Sequence, residues 1–286
     1  MAIAVVTGTS TGIGFATVVT LGRAGHTVVA TMRNPNSGGD LQKVISEEKL
    51  PIKIAALDLD DDVSVRSAFE KILGEHGRVD ILVNNAGIPA VGSVEEVPIA
   101  TFRAVMETNF FGGLRCIKAV APGMRERRHG CIVSVTSIAG RTAIAPMGPY
   151  AASKWAFEAL NECLAQEMKA FNVRVAIVEP GVIATPILGK AAPAPRNSPY
   201  PHFRRLSARF RAQMGSPVSP FVVGEQIRQI VDGDSWRLRY PLGADAMALL
   251  QWRSGITDEE LVTVQAESDA EFVARMKKIF GLDVSL

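Results

Sequence analysis

Seven short runs of β-branched and aliphatic residues, IAVVT, TVVATM, KIAALDL, DILVNNAG, CIVSVTS, VRVAIVEPG and RLRYPLG, recur along this chain with stretches of helical spacing between them. Strand alternating with helix builds βαβ units and therefore a parallel sheet. The runs are almost continuously apolar rather than alternating, as strands covered by helices on both faces must be. An open, doubly wound α/β sheet is expected, and a β-sandwich is not.

With 286 residues, 47% hydrophobic and 21% charged, the chain has enough apolar surface for one large core, and a single domain over residues 1–286 is expected. A net charge of +2 argues against nucleic acid as a partner. No uninterrupted apolar stretch approaches the roughly 18 residues of a membrane span, and MAIAVVTGTSTGIG passes from strand to turn without a secretory pattern. The expectation is a cytoplasmic protein without membrane insertion. Cys116, Cys131 and Cys163 are widely spaced in apolar segments and read as buried, reduced thiols, with no metal site implied. Near the end, Ser268 and Glu271 form a capping box ahead of Phe272, Val273, Met276, Ile279 and Phe280, with Gly281 as the stop. That helix serves packing or a subunit contact.

Two local patterns carry chemistry. The first strand runs into Thr7-Gly8-Thr9-Ser10-Thr11-Gly12-Ile13-Gly14, a turn that is either structural or a phosphate cradle aimed at by the amides of the next helix. In PYAASKWAFEAL, Tyr150 and Lys154 stand one helical turn apart, with Ser137 upstream at the end of a strand-like run. An ammonium beside a phenol draws its pKa down, and the Ser137 hydroxyl could hold a carbonyl or alcohol oxygen while Tyr150 exchanges its proton. Taken alone, that spacing also occurs in many amphipathic helices.

TGTSTGIG, NNAG at Asn84 to Gly87, Asn109 in ETNFFG, Ser137, YAASK and PGVIATP together resemble the short-chain dehydrogenase/reductase family. The motifs stand in family order from Thr7 to Pro186, whereas the last hundred residues carry little of its signature. The resemblance implies a Rossmann-type fold and a catalytic tetrad. Tyr150 would be the general acid/base and Ser137 the partner of the reacting oxygen. Lys154 would lower the tyrosine pKa and bind the nicotinamide ribose, and Asn109 would hold a helix distortion and a relay water. It further implies cofactor contacts at Gly8, Ser10, Thr11, Gly12, Ile13 and Gly14. Asp58 with Leu59 would meet the adenine, and Asn85, Ala86 and Gly87 the adenosine half. Thr185, with Pro180, Gly181 and Ile183 of the same loop, would meet the carboxamide. Asp58 has a second reading as a helix cap.

The second strand, HTVVATMRNP, lacks an acidic residue to grip the ribose 2′-hydroxyl of NAD. Thr31 stands near that position, and Arg33 with the hydroxyls of Ser10 and Thr11 suits a 2′-phosphate, so NADP(H) is expected ahead of NAD(H). The other reading of Arg33 is that it points into water. Residues 187–221 read as an inserted substrate lid. No acid lies between Glu179 and Glu225, but Lys190, Arg196, Arg204, Arg205, Arg209 and Arg211 do. Tyr200, Phe203, Leu206, Phe210 and Met214 could cover an apolar substrate while the arginines face outward.

The expected reaction interconverts a carbonyl and a secondary alcohol, on a bulky hydrophobic ketone or alcohol like the steroids or retinoids of similar family members. Two alternatives are reduction of an anionic acyl thioester gripped by Arg204 and Arg205, and a cofactor-sensing protein without chemistry. The family implies a homodimer or homotetramer.

Overall fold

The computed structural model describes residues 1–187, 189, 198–215 and 217–286. Seven parallel strands form one sheet in the order β3-β2-β1-β4-β5-β6-β7. They are β1 (Ile3–Thr7), β2 (Thr27–Met32), β3 (Ile52–Ala56), β4 (Ile81–Asn84), β5 (Gly130–Val135), β6 (Val173–Pro180) and β7 (Arg239–Leu242). The helices between them are α1 (Gly12–Arg23), α2 (Gly39–Glu48), α3 (Asp62–His76), α4 (Ile99–Met106), α5 (Gly112–Arg127) and α6 (Gly148–Lys169). Beyond β6 come α7 (His202–Gln213) and α8 (Pro220–Asp232), and after β7 come α9 (Ala244–Ser254), α10 (Asp258–Val264) and α11 (Asp269–Phe280). This is the doubly wound, Rossmann-type sheet that the apolar runs require.

Successive strand residues point to opposite faces, which divides the core in two. Ala4 and Val6 of β1, Val28 and Ala30 of β2 and Val83 of β4 pack against Val18 and Leu21 of α1, Leu41 of α2 and Ile227 of α8. Their neighbours Val5, Val29 and Leu82 face the other way, onto Phe69 of α3, Ile117 and Met124 of α5 and Phe157 of α6. Burial of each such side chain contributes on the order of 2 kcal/mol, so both layers are held by the same alternation.

β3 ends at Ala56, short of the full KIAALDL run, because Leu57, Asp58 and Leu59 turn along the rim of the sheet toward α3. Asp61, not Asp58, caps α3 by accepting the Val63 N–H at 2.8 Å. Cys116 and Cys131 are buried free thiols, with burial pushing them up to about 12 and about 11. Cys163 differs from expectation: it is exposed on α6.

Residues 187–221 are not a plain loop, since α7 lies within them and α8 begins at Pro220. Lys190 and Arg196 fall outside the described residues. α11 carries the expected capping box between Ser268 and Glu271, ends at Gly281 and buries Phe272 and Met276 against Ala208 of α7. Among the described residues no helix is long and apolar enough to cross a membrane, and no three His, Cys, Asp or Glu side chains are grouped to hold a metal ion.

Candidate active site

In an open parallel sheet, ligands bind outside the carboxyl ends of the strands where the winding reverses, here between β1 and β4. A cleft of about 430 Å³ lies there, and the ends of β1, β2, β4, β5 and β6 all open into it. Its floor begins at the glycine turn. Gly8 has φ +70, and a Cβ there would meet the Ala86 backbone at 2.8 Å. At Gly14 a Cβ would sit 2.2 Å from the Gly8 carbonyl oxygen and 2.6 Å from Asn85 Nδ2, so the start of α1 packs directly on the turn. Thr11, the N-cap of α1, makes no side-chain cap hydrogen bond, and the first turn holds no acidic residue. Gly12 and Ile13, whose amides open the helix, line the cleft, and this uncapped helix start fits a dinucleotide pyrophosphate.

Of the expected cofactor residues, Gly8, Ser10, Thr11, Gly12, Ile13, Arg33, Asp58, Leu59, Asn85, Ala86, Gly87, Tyr150, Lys154, Pro180, Gly181, Ile183 and Thr185 line this one cleft, whereas Gly14 lies beneath its floor, packed on Gly8 and Asn85. They are not equivalent. Asn85 spends its Nδ2 on the carbonyls of Thr7 and Gly8 at 2.8 and 3.1 Å, so it clips β4 to the turn rather than offering its amide to a ligand. Thr31 lines the cleft near the expected ribose position, fully buried, with its hydroxyl donating to the Val6 carbonyl at 3.0 Å. Arg33, exposed at the end of β2, remains as the charged group on that rim.

At the other end stand Ser137, which caps the turn after β5, and Tyr150 and Lys154 of α6. Lys154 Nζ lies 5.6 Å from the Tyr150 ring centre and donates to the Val135 carbonyl at 3.1 Å. Burial pushes the Lys154 ammonium down to about 8, against the pull of the Glu158 carboxylate one turn on. Burial likewise raises the Tyr150 phenol, while the Ser137 hydroxyl opposes it. Desolvation of the phenol thus outweighs the Ser137 hydrogen bond, and Lys154 is not among the groups that shift it.

Asn109 is buried in a π-helical turn, Glu107–Phe111, between α4 and α5. Its Oδ1 accepts the Ile88 N–H at 2.8 Å, and its Nδ2 donates to the Ile88 carbonyl and the Ser153 hydroxyl, both at 3.0 Å. That places the distortion beside the loop following β4 and beside α6, within the same cluster as Gly87 and Lys154.

Other contributions carry no motif. Glu158 accepts from the Thr136 hydroxyl at 2.6 Å and from Arg239 at 3.0 Å, and fully buried Glu179 pairs with Arg141 at 3.0 Å behind β5 and β6. Burial and the nearby Glu158 raise the Glu179 carboxyl. Asp245, at the start of α9, accepts the Val182 N–H at 2.7 Å and so fixes the loop of Pro180, Gly181 and Ile183. Only a carboxylate at a helix start, which acidic side chains favour in general, hinted at this.

The lid side of the cleft is lined by Phe203, Leu206 and Phe210 of α7, with Ile144, Met147 and Leu249 opposite. Tyr200 and Met214 are elsewhere: the Tyr200 hydroxyl bonds Glu95, and Met214 is exposed. Nor do the arginines all face outward. Arg205 is buried, with Nε on Asp269 at 3.0 Å, and Arg204 pairs with the same carboxylate.

A cleft at the switch point of a doubly wound sheet, running from a glycine turn to a phenol, a hydroxyl and an ammonium, is the arrangement of an oxidoreductase. The chain matches the short chain dehydrogenase family over residues 2–195 and belongs to it. It is 41% identical to retinol dehydrogenase 8 of Bos taurus over 189 residues, which span 65% of this chain and 60% of that protein. Among solved structures it is similar to a short-chain dehydrogenase from Streptomyces avermitilis, at 32% identity with a TM-score of 0.79, covering 93% of this chain and 99% of that one. An alcohol dehydrogenase from the archaeon Thermococcus sibiricus, complexed with 5-hydroxy-NADP, is 25% identical with a TM-score of 0.72, covering 85% and 96%.

Proposed function

We propose that this oxidoreductase uses NADP(H) to interconvert a ketone and a secondary alcohol on a hydrophobic molecule. The observation that carries the reading is the convergence of Ser137, Tyr150 and Lys154 at one end of the cleft that the glycine turn opens at the other. When bound, the nicotinamide supplies or accepts the hydride. Ser137 holds the reacting oxygen by hydrogen bond, and Tyr150 gives or takes the proton at that oxygen. Lys154 would hold the nicotinamide ribose and would favour phenolate at Tyr150. Asn109 steadies the π-turn through which the proton is replaced from solvent.

Arg33, with the hydroxyls of Ser10 and Thr11, would receive a 2′-phosphate, and the NADP-type ligand of the Thermococcus sibiricus relative supports that choice. The side chains of Ile144, Met147, Phe203, Leu206, Phe210 and Leu249 would enclose an apolar body, in keeping with the likeness to a retinol dehydrogenase. Residues 187–221 act as its lid, and the chain works as a homodimer or homotetramer in the cytoplasm.

Tyr150→Phe tests the reading. NADPH titration by fluorescence should give a Kd within a few-fold of the parent, while turnover of ketones falls by about a thousandfold. Undiminished turnover would remove Tyr150 from the chemistry.

A further inference from the structure

α7 presents four arginines, and three are spent. Arg204 and Arg205 pair with Asp269, and Arg211 donates to the Ser285 carbonyl at 3.2 Å. The fourth, Arg209, lines the substrate end of the cleft beside Leu206 and Phe210. Its Nε is shut off from solvent and has no hydrogen-bond partner, and no ion pair or hydrogen bond joins its guanidinium to any described residue. Its firm contact is with the Phe280 ring, 4.9 Å from the guanidinium carbon.

The charged groups around it do not neutralise it by contact. Arg275 is engaged with Glu267. Asp245 stands in the same cleft wall, but its Oδ2 accepts from Val182 N–H and from Gln213 Nε2 at 3.2 Å. Burial brings the Arg209 guanidinium down to about 10, with Asp245 opposing and Arg275 adding to the fall, so it stays charged at neutral pH. Arg209 is half-buried, its Nε shut away while the rest of its guanidinium is left without a protein counter-charge, and a ligand anion in the cleft would supply that contact.

We propose that Arg209 is the anchor for the carboxylate of an amphiphilic oxo acid or hydroxy acid whose reacting oxygen lies at Tyr150. A single guanidinium fork matches a single planar carboxylate, and Asp245 in the same wall disfavours a more highly charged head group such as a phosphate. The apolar residues between the two ends hold the intervening hydrocarbon. This rests on the oxidoreductase reading above: the ketone carbon gains a hydride from reduced nicotinamide, its oxygen gains the Tyr150 proton, and the carboxylate is unchanged. Arg204 and Arg205, committed to Asp269, do not serve as the anion grip.

The test compares medium-chain oxo acids of increasing length with their methyl esters, in the parent and in Arg209→Leu and Arg209→Lys. The parent should prefer the acid in kcat/KM. In Arg209→Leu that acid-to-ester ratio should fall about 10- to 100-fold, through KM, with Arg209→Lys retaining a larger part of it. Equal use of acid and ester by the parent, or an unchanged ratio in Arg209→Leu, overturns the proposal. Calorimetry with saturated carboxylates of the same lengths, against their methyl esters, gives a second readout on the parent alone, so poor folding of a variant leaves the question decidable. Carboxylate binding without reduction of any ketone would sink the oxidoreductase reading and keep the Arg209 site. Reduction of neutral ketones without acid preference or carboxylate binding would do the reverse.

Discussion

Asp245 Oδ2 accepts the backbone N–H of Val182 at 2.7 Å, so a helix from the last fifty residues holds the loop that follows β6 against the cleft. The same carboxylate takes a hydrogen bond from Gln213 of α7. One side chain therefore ties the loop after β6 to α7.

Asp245→Ala leaves the Val182 N–H and the Gln213 amide without their acceptor. Stability should fall by about 1–3 kcal/mol in urea unfolding. KM for the cofactor should rise several-fold, because the loop carrying Gly181, Ile183 and Thr185 loses its tether. A loss of stability with unchanged cofactor KM would confine Asp245 to a structural role.

Arg33→Asp places an acid where the rim of β2 now offers a guanidinium. The parent should favour NADPH over NADH in kcat/KM, and the variant should reverse this, each by roughly 10-fold or more. Equal use of both cofactors by the parent would show that Arg33 points into water.

Lys154→Met removes an ammonium that burial pushes down to about 8 from 10.5. Below about 8 the lysine is charged both folded and unfolded, and the folded state bears the cost of burying it. Between about 8 and 10.5 the folded state has released a proton that the unfolded chain still holds, so the parent gains stability relative to the variant as pH rises. Without added cofactor, the variant should be the more stable at neutral pH by on the order of 2 kcal/mol. Thermal melts across the alkaline range should show the gap closing. A gap independent of pH would mean that the cost of the buried charge is not what separates the two.

Gly14→Ala forces a methyl group to within 2.2 Å of the Gly8 carbonyl oxygen. Overpacking of this kind costs about 1–3 kcal/mol, and the shift of α1 away from the turn should weaken NADPH binding by about 10-fold. A variant with the parent's melting temperature and Kd would show that α1 can retreat without disturbing the phosphate site.

Much of this was legible in local chemistry. Strand runs such as IAVVT and TVVATM coincide with β1 and β2, and the capping box of Ser268 and Glu271 starts α11 where expected. Tyr150 and Lys154 fall on one helix, and the glycine turn falls at the start of another. Thr31 lies at the cleft as the end of β2 suggested, but that its hydroxyl is spent on the Val6 carbonyl could not be read from the strand. Asp245, Glu158 and Glu179 left no pattern, since their partners lie on distant segments.

What the order of residues determined by itself is short-range: apolar period, turn chemistry, helix caps and side chains one turn apart. These depend on neighbours in the chain and on backbone sterics. Which arginine of α7 remains uncommitted was decided only by the tertiary structure, which brought Asp269 to Arg204 and Arg205 and left Arg209 facing the cleft. Charge pairing and desolvation depend on distances through space, and a segment without acids of its own was neutralised in part by the one carboxylate of Asp269, more than sixty residues away.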